Sequence, residues 1–210
     1  MRKLVLFAIT ALFASCASVA PIKKSEPRRV VGTENDVRVD AEFVGDQLQR
    51  SMTLPLKYEI TNGRPATIAV ADMVPETTYD PDTATLTIGI GSEVPGATML
   101  PRLIAIAPGE KKSFTAVARI NVPVAADAPM ARYPRAIQVK LNFLADTTDF
   151  QQLIDMSQKG LYDPKLADEL FPKWIERNET VFTNTLPMRW TTAPADEPAA
   201  SSRGRRRGSG

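Results

Sequence analysis

The sequence predicts an all-β fold, an antiparallel sandwich with a small helical insertion or cap near the C-terminus. Three observations carry this. From Asp36 onward apolar and polar residues alternate with period two, as in strands with one buried and one wet face. Turn residues interrupt the alternation at short, regular spacing, as in a sandwich of many short strands. After Ala145 the apolar period lengthens to that of a helix. With 43% hydrophobic and 24% charged residues among 210, the chain is of ordinary globular composition, long enough for one domain with tails or two small domains.

The strands follow in order. Val37, Val39, Ala41 and Phe43 alternate with Arg38, Asp40 and Glu42; Leu54, Leu56, Tyr58 and Ile60 alternate with Pro55, Lys57, Glu59 and Thr61. Pro55 cannot donate to a ladder, so it implies an edge position or a bulge. Further strands are expected over Ala66 to Ala71, Leu86 to Ile90, Leu103 to Ile106 and Phe114 to Val122, and the clearest over Ile137 to Phe143. Between them lie turn signals: Asn62-Gly63-Arg64-Pro65, Asp80-Pro81-Asp82, Pro95-Gly96, Pro108-Gly109-Glu110 and the stretch from Pro123 to Pro134. Phe150, Leu153, Ile154 and Ser157 then recur at helical spacing up to Gly160, with Asp149 as the expected cap. Asp163-Pro164 marks a second helix start, with Leu166, Leu170 and Phe171 on one face. Pro172 is expected to kink or end that helix, and Trp174 and Ile175 continue its apolar surface. Leu186, Met188 and Trp190 suggest a last strand returning to the sheet.

The stretches LPLKYEITN, from Leu54, and IAPGEKKSF, from Ile106, resemble the facing-strand pattern of immunoglobulin-like accessory domains in bacterial envelope proteins. In those domains the first strand ends in an Asn-containing turn, and a Pro-Gly-Glu turn opens a strand of the opposite sheet. The resemblance covers residues 36–145. It implies an immunoglobulin-like sandwich and transfers no active site. The strand entered through an apolar-Asn pattern is also similar to the water-stress domain of late-embryogenesis-abundant proteins, again a sandwich.

At the N-terminus, Arg2 and Lys3 precede an apolar run from Leu4 to Ala14, too short to span a bilayer but of the length of a signal-peptide core. The run closes on Leu12-Phe13-Ala14-Ser15-Cys16, which resembles the lipobox of bacterial lipoproteins: an apolar residue, two small residues, then the Cys that becomes the acylated mature N-terminus. Phe13 stands where that family usually has Leu. An ordinary secretory signal cut after Ala17 or Ala20 is the alternative. Ala17 follows the Cys where an Asp would retain the protein at the inner membrane, so the resemblance implies anchoring to the periplasmic face of the outer membrane. Two or three acyl chains, at ~0.8 kcal/mol per buried methylene, hold a protein there stably.

The expected organisation is a signal peptide over 1–15, the lipidated Cys16 with a flexible tether over 16–35, a β-sandwich over 36–192 with its helical element at 149–178, and a disordered Arg-rich tail over 193–210. Residues 17–35 would average ~25 Å end to end as a coil. They carry Lys23, Lys24, Arg28 and Arg29, which suit anionic headgroups as well as solvent. Removing Arg2 and Lys3 from the 26 Lys and Arg balances the 24 Asp and Glu. The basic balance therefore comes from the chain ends.

With no His, the chain cannot build a Ser-His-Asp or Cys-His constellation, a His-ligated metal site or an imidazole switch; with Cys16 alone it forms no internal disulfide. Asp80 and Asp82 supply two carboxylates, which suits an Asx turn better than a calcium loop, and no metal or cofactor is expected. Asp146 and Asp149 are weighed in the same way. Phe150, Tyr162, Phe171 and Trp174 would plug one end of the sandwich or form a docking patch, with Phe171 and Trp174 the candidate partner-binding residues. Arg203, Arg205, Arg206 and Arg207 could meet phosphates, but export excludes nucleic acid as the expected partner. The function expected is a non-enzymatic interaction or scaffold module, bound to the membrane through acylated Cys16 and to an envelope protein or cell-wall polymer. The alternatives are a His-free cell-wall glycan hydrolase using Asp or Glu, and a carrier of a small lipid or ligand.

Overall fold

Strand β1 (Arg28–Glu34) turns through Asn35 and Asp36, both at positive φ, into β2 (Val37–Phe43). A two-residue loop with both residues left-handed matches the twist of a hairpin. In this computed structural model, residues 28–96, 99–122 and 133–191 are described. The expected tether over 16–35 therefore needs correcting: residues 28–34 are a strand. Signal peptide, Cys16 and Arg-rich tail lie outside the described residues.

The chain continues through β3 (Gln47–Leu48), β4 (Ser51–Asn62), β5 (Ile68–Ala71), β6 (Glu76–Asp80), β7 (Thr85–Ile90), β8 (Met99–Pro101), β9 (Leu103–Ile106), β10 (Lys111–Asn121) and β11 (Ala136–Leu144). After a 3-10 turn over Thr148–Phe150 come α1 (Gln151–Ile154), β12 (Gly160–Tyr162), α2 (Pro164–Arg177), β13 (Asn178–Phe182), β14 (Leu186–Pro187) and β15 (Arg189–Trp190). The described residues are 54% strand and 14% helix, so the fold is mostly β.

One sheet runs β1-β2-β4-β10 and is antiparallel throughout. The other is mixed. It runs β6-β7-β11-β5-β9, with β13 and β14 on the far flank of β11, and β7 lies parallel to β11. The expectation of purely antiparallel pairing fails there, because β7 and β11 are joined through three intervening strands rather than a hairpin. The stretches expected to face each other, β4 and the strand after Pro108-Gly109-Glu110, are instead neighbours in one sheet, paired from Thr61–Lys111 to Ser51–Asn121. Asn62 locks that junction. Fully buried, it donates to the carbonyls of Ala66 (2.8 Å) and Ile106 (2.9 Å) and accepts from the Arg64 amide (3.0 Å). Each such bond is satisfied where an unmade one costs about 1–3 kcal/mol.

The sheets share one core: Val37, Val39, Phe43, Leu54, Leu56 and Ile60 from the first against Leu86, Ile88, Ile137, Val139, Leu141 and Phe143 from the second. Complete burial of such a side chain contributes about 1.5–3 kcal/mol. Both sheet edges are covered. The Val31 amide donates to the Asn184 side chain (2.7 Å) beyond β13, and Thr77 on β6 donates its hydroxyl to the Arg119 carbonyl on β10 (2.8 Å). Gly32 is required where β1 meets β13, since a Cβ there would lie 2.3 Å from the Phe182 carbonyl oxygen.

A second cluster forms on the outer face of the mixed sheet. Ala69, Ala71 and Leu144 point away from the main core and receive Phe150, Leu153, Leu170 and Trp174. The helical element thus lies on a sheet face rather than plugging an end. Asp163 caps α2 by accepting from the Leu166 amide (3.0 Å), with Pro164 in the first turn. Pro172 does not end the helix, which runs on to Arg177, because Leu170 and Trp174 are buried on either side of it. The first helix is shorter than expected, stopping at Ile154. Asp149 is not its side-chain cap: it lies inside the 3-10 turn and pairs with Lys173 (3.2 Å) and Arg177 (2.5 Å).

Candidate functional site

The helical lobe separates the two residues picked out together in the sequence. Trp174 is 1% exposed, sits edge-on against Phe150 with ring centroids 5.8 Å apart, and donates Nε1–H to the Ser92 carbonyl (3.3 Å). It fastens α2 to the sheet. Phe171 is 44% exposed, as is Ile175 one turn later at 47%. On the same lobe, Met99 and Tyr162 form an exposed cross-strand pair between β8 and β12. Arg177 and Lys173 tie the helix to Asp146 and Asp149, whose carboxyls are held below the ordinary range. Hydrogen bonding by Thr148 is the chief cause for Asp146, and by Lys173 for Asp149.

The other carboxylates singled out do structural work. Asp80 accepts from the Asp82 amide (2.9 Å) and the Thr83 hydroxyl (2.7 Å), which holds it below its usual value. Among the described residues no three Asp, Glu, His or Cys side chains gather to share a metal ion. On the outward face of the first sheet, Asp40 is 6% exposed beneath Arg29 (3.0 Å) and Arg38 (2.8 Å). The Arg38 hydrogen bond, ahead of the opposing burial effect, lowers its pKa.

A groove of about 670 Å³ opens where β2 leaves β4. The ladder between them stops at the Phe43–Leu56 pair; the chain turns at Gly45, with φ of 87°, and β3 pairs in parallel with β15 instead. Bonds from the Asn62 amide to the Glu110 carbonyl and from the Val122 amide to the Arg50 carbonyl show that even-numbered residues of β4 face β10. Odd-numbered residues, Pro55 among them, therefore turn their backbone groups toward β2. Pro55 lies one position past that ladder's end, so its missing donor forfeits no bond. The edge expected at Pro55 exists locally within a central strand.

The floor of the groove is Phe43, Pro55 and Leu56, and Val44, 78% exposed, stands on its rim. Asp46 joins the two ends of the described chain, pairing with Arg189 (2.6 Å) and Arg28 (3.7 Å), while Arg28 also donates to the Pro187 carbonyl. Among the described residues the buried Arg28 Nε has no partner. Glu42, Lys57 and Thr115 complete the opposite wall. The sequence signals this site only by a broken alternation at Val44-Gly45-Asp46; its walls meet through pairings between residues more than a hundred positions apart. No family model, no curated protein and no solved structure matches the chain.

Proposed function

We propose that the protein is a lipid-anchored, non-enzymatic interaction module of the bacterial envelope: an immunoglobulin-like sandwich tethered through acylated Cys16 to the periplasmic face of the outer membrane. The two facing sheets with a shared core support the sandwich reading, although the β7–β11 pairing is parallel. The observation that carries the binding role is the division of labour on α2. Trp174 fixes the helix against the sheet, so Phe171 and Ile175 are held out on a rigid support rather than spent on folding. The partner is an envelope protein or polymer.

Five carboxylates are poorly suited to serve the hydrolase alternative as its general acid. A general acid for glycoside cleavage needs a raised pKa, whereas Asp40, Asp80, Glu110, Asp146 and Asp149 are all shifted downward by hydrogen bonds or cations. The test is a photoreactive residue at Tyr162, crosslinked in native membranes. Phe171→Ser with Ile175→Ser should abolish the crosslinked species while leaving the melting temperature within a few degrees. Trp174→Ala should instead lower stability by about 3–5 kcal/mol. A crosslink indifferent to the double change, or turnover of wall glycan lost on a single carboxylate substitution, would overturn the proposal.

A further inference from the structure

The geometry points to the groove-bearing end of the molecule as a membrane-seating surface, in which Val44 and the surrounding cations meet the headgroups of an anionic bilayer. This deepens the lipid-anchored reading and rests on it for the membrane concerned. Four observations converge on that end. Arg28 opens the described chain there, only twelve residues after Cys16, a span of ~40 Å fully stretched and ~20 Å as a coil. The described chain also leaves there, with Arg189 on the groove wall and Thr191 bonded to Leu48. Val44, the most exposed large apolar side chain among the described residues, projects from the turn at Gly45, beside an apolar floor. Finally, Arg50, Lys57 and Arg135 are exposed and make no ion pair among the described residues.

Charge at this end leans basic, with Arg28, Arg50, Lys57, Arg135 and Arg189 against Glu42, Asp46, Asp80 and Asp82. Arg50 precedes β4 and its carbonyl accepts from the Val122 amide, while Arg135, just before β11, donates its amide to Ala84 and accepts from Met188, so both lie at the end of the sheets where β4 and β11 begin. Asp46 is occupied by Arg28 and Arg189, and Asp80 by its own turn. Asp82 faces outward, and Glu42 stands on the groove wall opposite Lys57 in the β2–β4 ladder. An apolar tip with exposed basic side chains at the same end is the chemistry of a peripheral contact with anionic lipid, in which the cations approach phosphates and the tip enters the headgroup layer. Seating this end would direct the opposite end of the sandwich toward the periplasm.

The test uses the full chain carrying Cys16→Ala, so that no acyl anchor can form, and vesicles of phosphatidylcholine with or without phosphatidylglycerol. An environment-sensitive fluorophore is placed at Val44→Cys, or at Tyr162→Cys on the helical lobe. The Val44 probe should shift to the blue only with phosphatidylglycerol, the Tyr162 probe should not, and the shift should fade as salt rises. Reversing Arg50, Lys57 and Arg135 to Glu should lower partitioning by at least roughly fivefold per cation removed, in a protein whose thermal unfolding is unchanged. Binding that survives the triple reversal would belong to the apolar run Leu4 to Ala14 and would overturn the proposal. So would equal shifts at both probes, or lipid drawn from vesicles into a one-to-one soluble complex, which would mean carriage. An unmodified Cys16 in the intact mass of protein from native membranes would defeat the anchoring reading alone, leaving the vesicle result to stand or fall separately.

Discussion

Tyr58 shows how one side chain in a half-open part of the core couples stability to pH. It points inward from β4, stacks on Phe114 of the paired position on β10 with centroids 5.0 Å apart, and has its pKa pushed up to about 12, chiefly by burial and secondarily by Asp72. Unfolded, it would ionise near pH ~10. The folded state therefore holds the proton more tightly, and Tyr58 favours folding fully below pH ~10 and progressively less as pH rises toward about 12. A series of urea unfolding curves from pH 8 to 12 should show stability falling across that window, and Tyr58→Phe should flatten part of the fall. An identical slope in the variant would assign the effect to other groups.

At the scale of elements, α2 carries a proline that its packing tolerates. Pro172 removes the donor that would reach the Asp168 carbonyl, yet the helix continues because Ala167, Leu170 and Trp174 are buried on its inner face and Lys173 and Arg177 are pinned by carboxylates. Pro172 itself is exposed. Pro172→Ala should therefore restore a hydrogen bond without disturbing a contact and stabilise the protein by about 1–3 kcal/mol, read from the denaturation midpoint. A loss of stability would mean that the proline's shape is needed where it stands.

The same helix marks what is legible in the sequence. Its start could be read because a cap is local: Asp163 and Pro164 act within one turn of themselves. Strands β2, β4, β7 and β11 could be read because each alternates over several residues. Strand β1 could not, since its inward positions are Val30 and Gly32, and the glycine is there for its close approach to Phe182, a hundred and fifty residues away. The groove was equally hidden, because it arises from a ladder that stops. The split between Trp174 and Phe171 depended on which side of α2 the sheet lies, and composition holds no record of that.

At the scale of the whole molecule, the described residues form two apolar clusters joined by little. The larger lies between the sheets; the smaller lies outside the mixed sheet, and the two meet across β5 and the end of β11, where Ile68, Val70 and Phe143 face one way and Ala69, Ala71 and Leu144 the other. The small alanine side chains leave room for Phe150 and Trp174 to approach the sheet closely, but contribute little burial themselves. The lobe is otherwise held by ion pairs of Lys173 and Arg177 and by the short β8–β12 ladder, contributions that are individually modest at a solvated surface. Opening the lobe would expose one face of β5 while leaving the ladders of β2, β4, β10 and β7 intact. Native-state hydrogen exchange should accordingly show α2 amides exchanging through a partial opening, at a lower free energy than amides of β4 and β11, which require global unfolding. Trp174→Ala should lower both free energies alike and leave the gap unchanged, because its side chain is exposed in the partly opened and in the unfolded state. Should α2 and β4 exchange with the same free energy and the same denaturant dependence, the lobe and the two sheets would be one cooperative unit, and the alanine-lined seam would be a tighter joint than its small side chains imply.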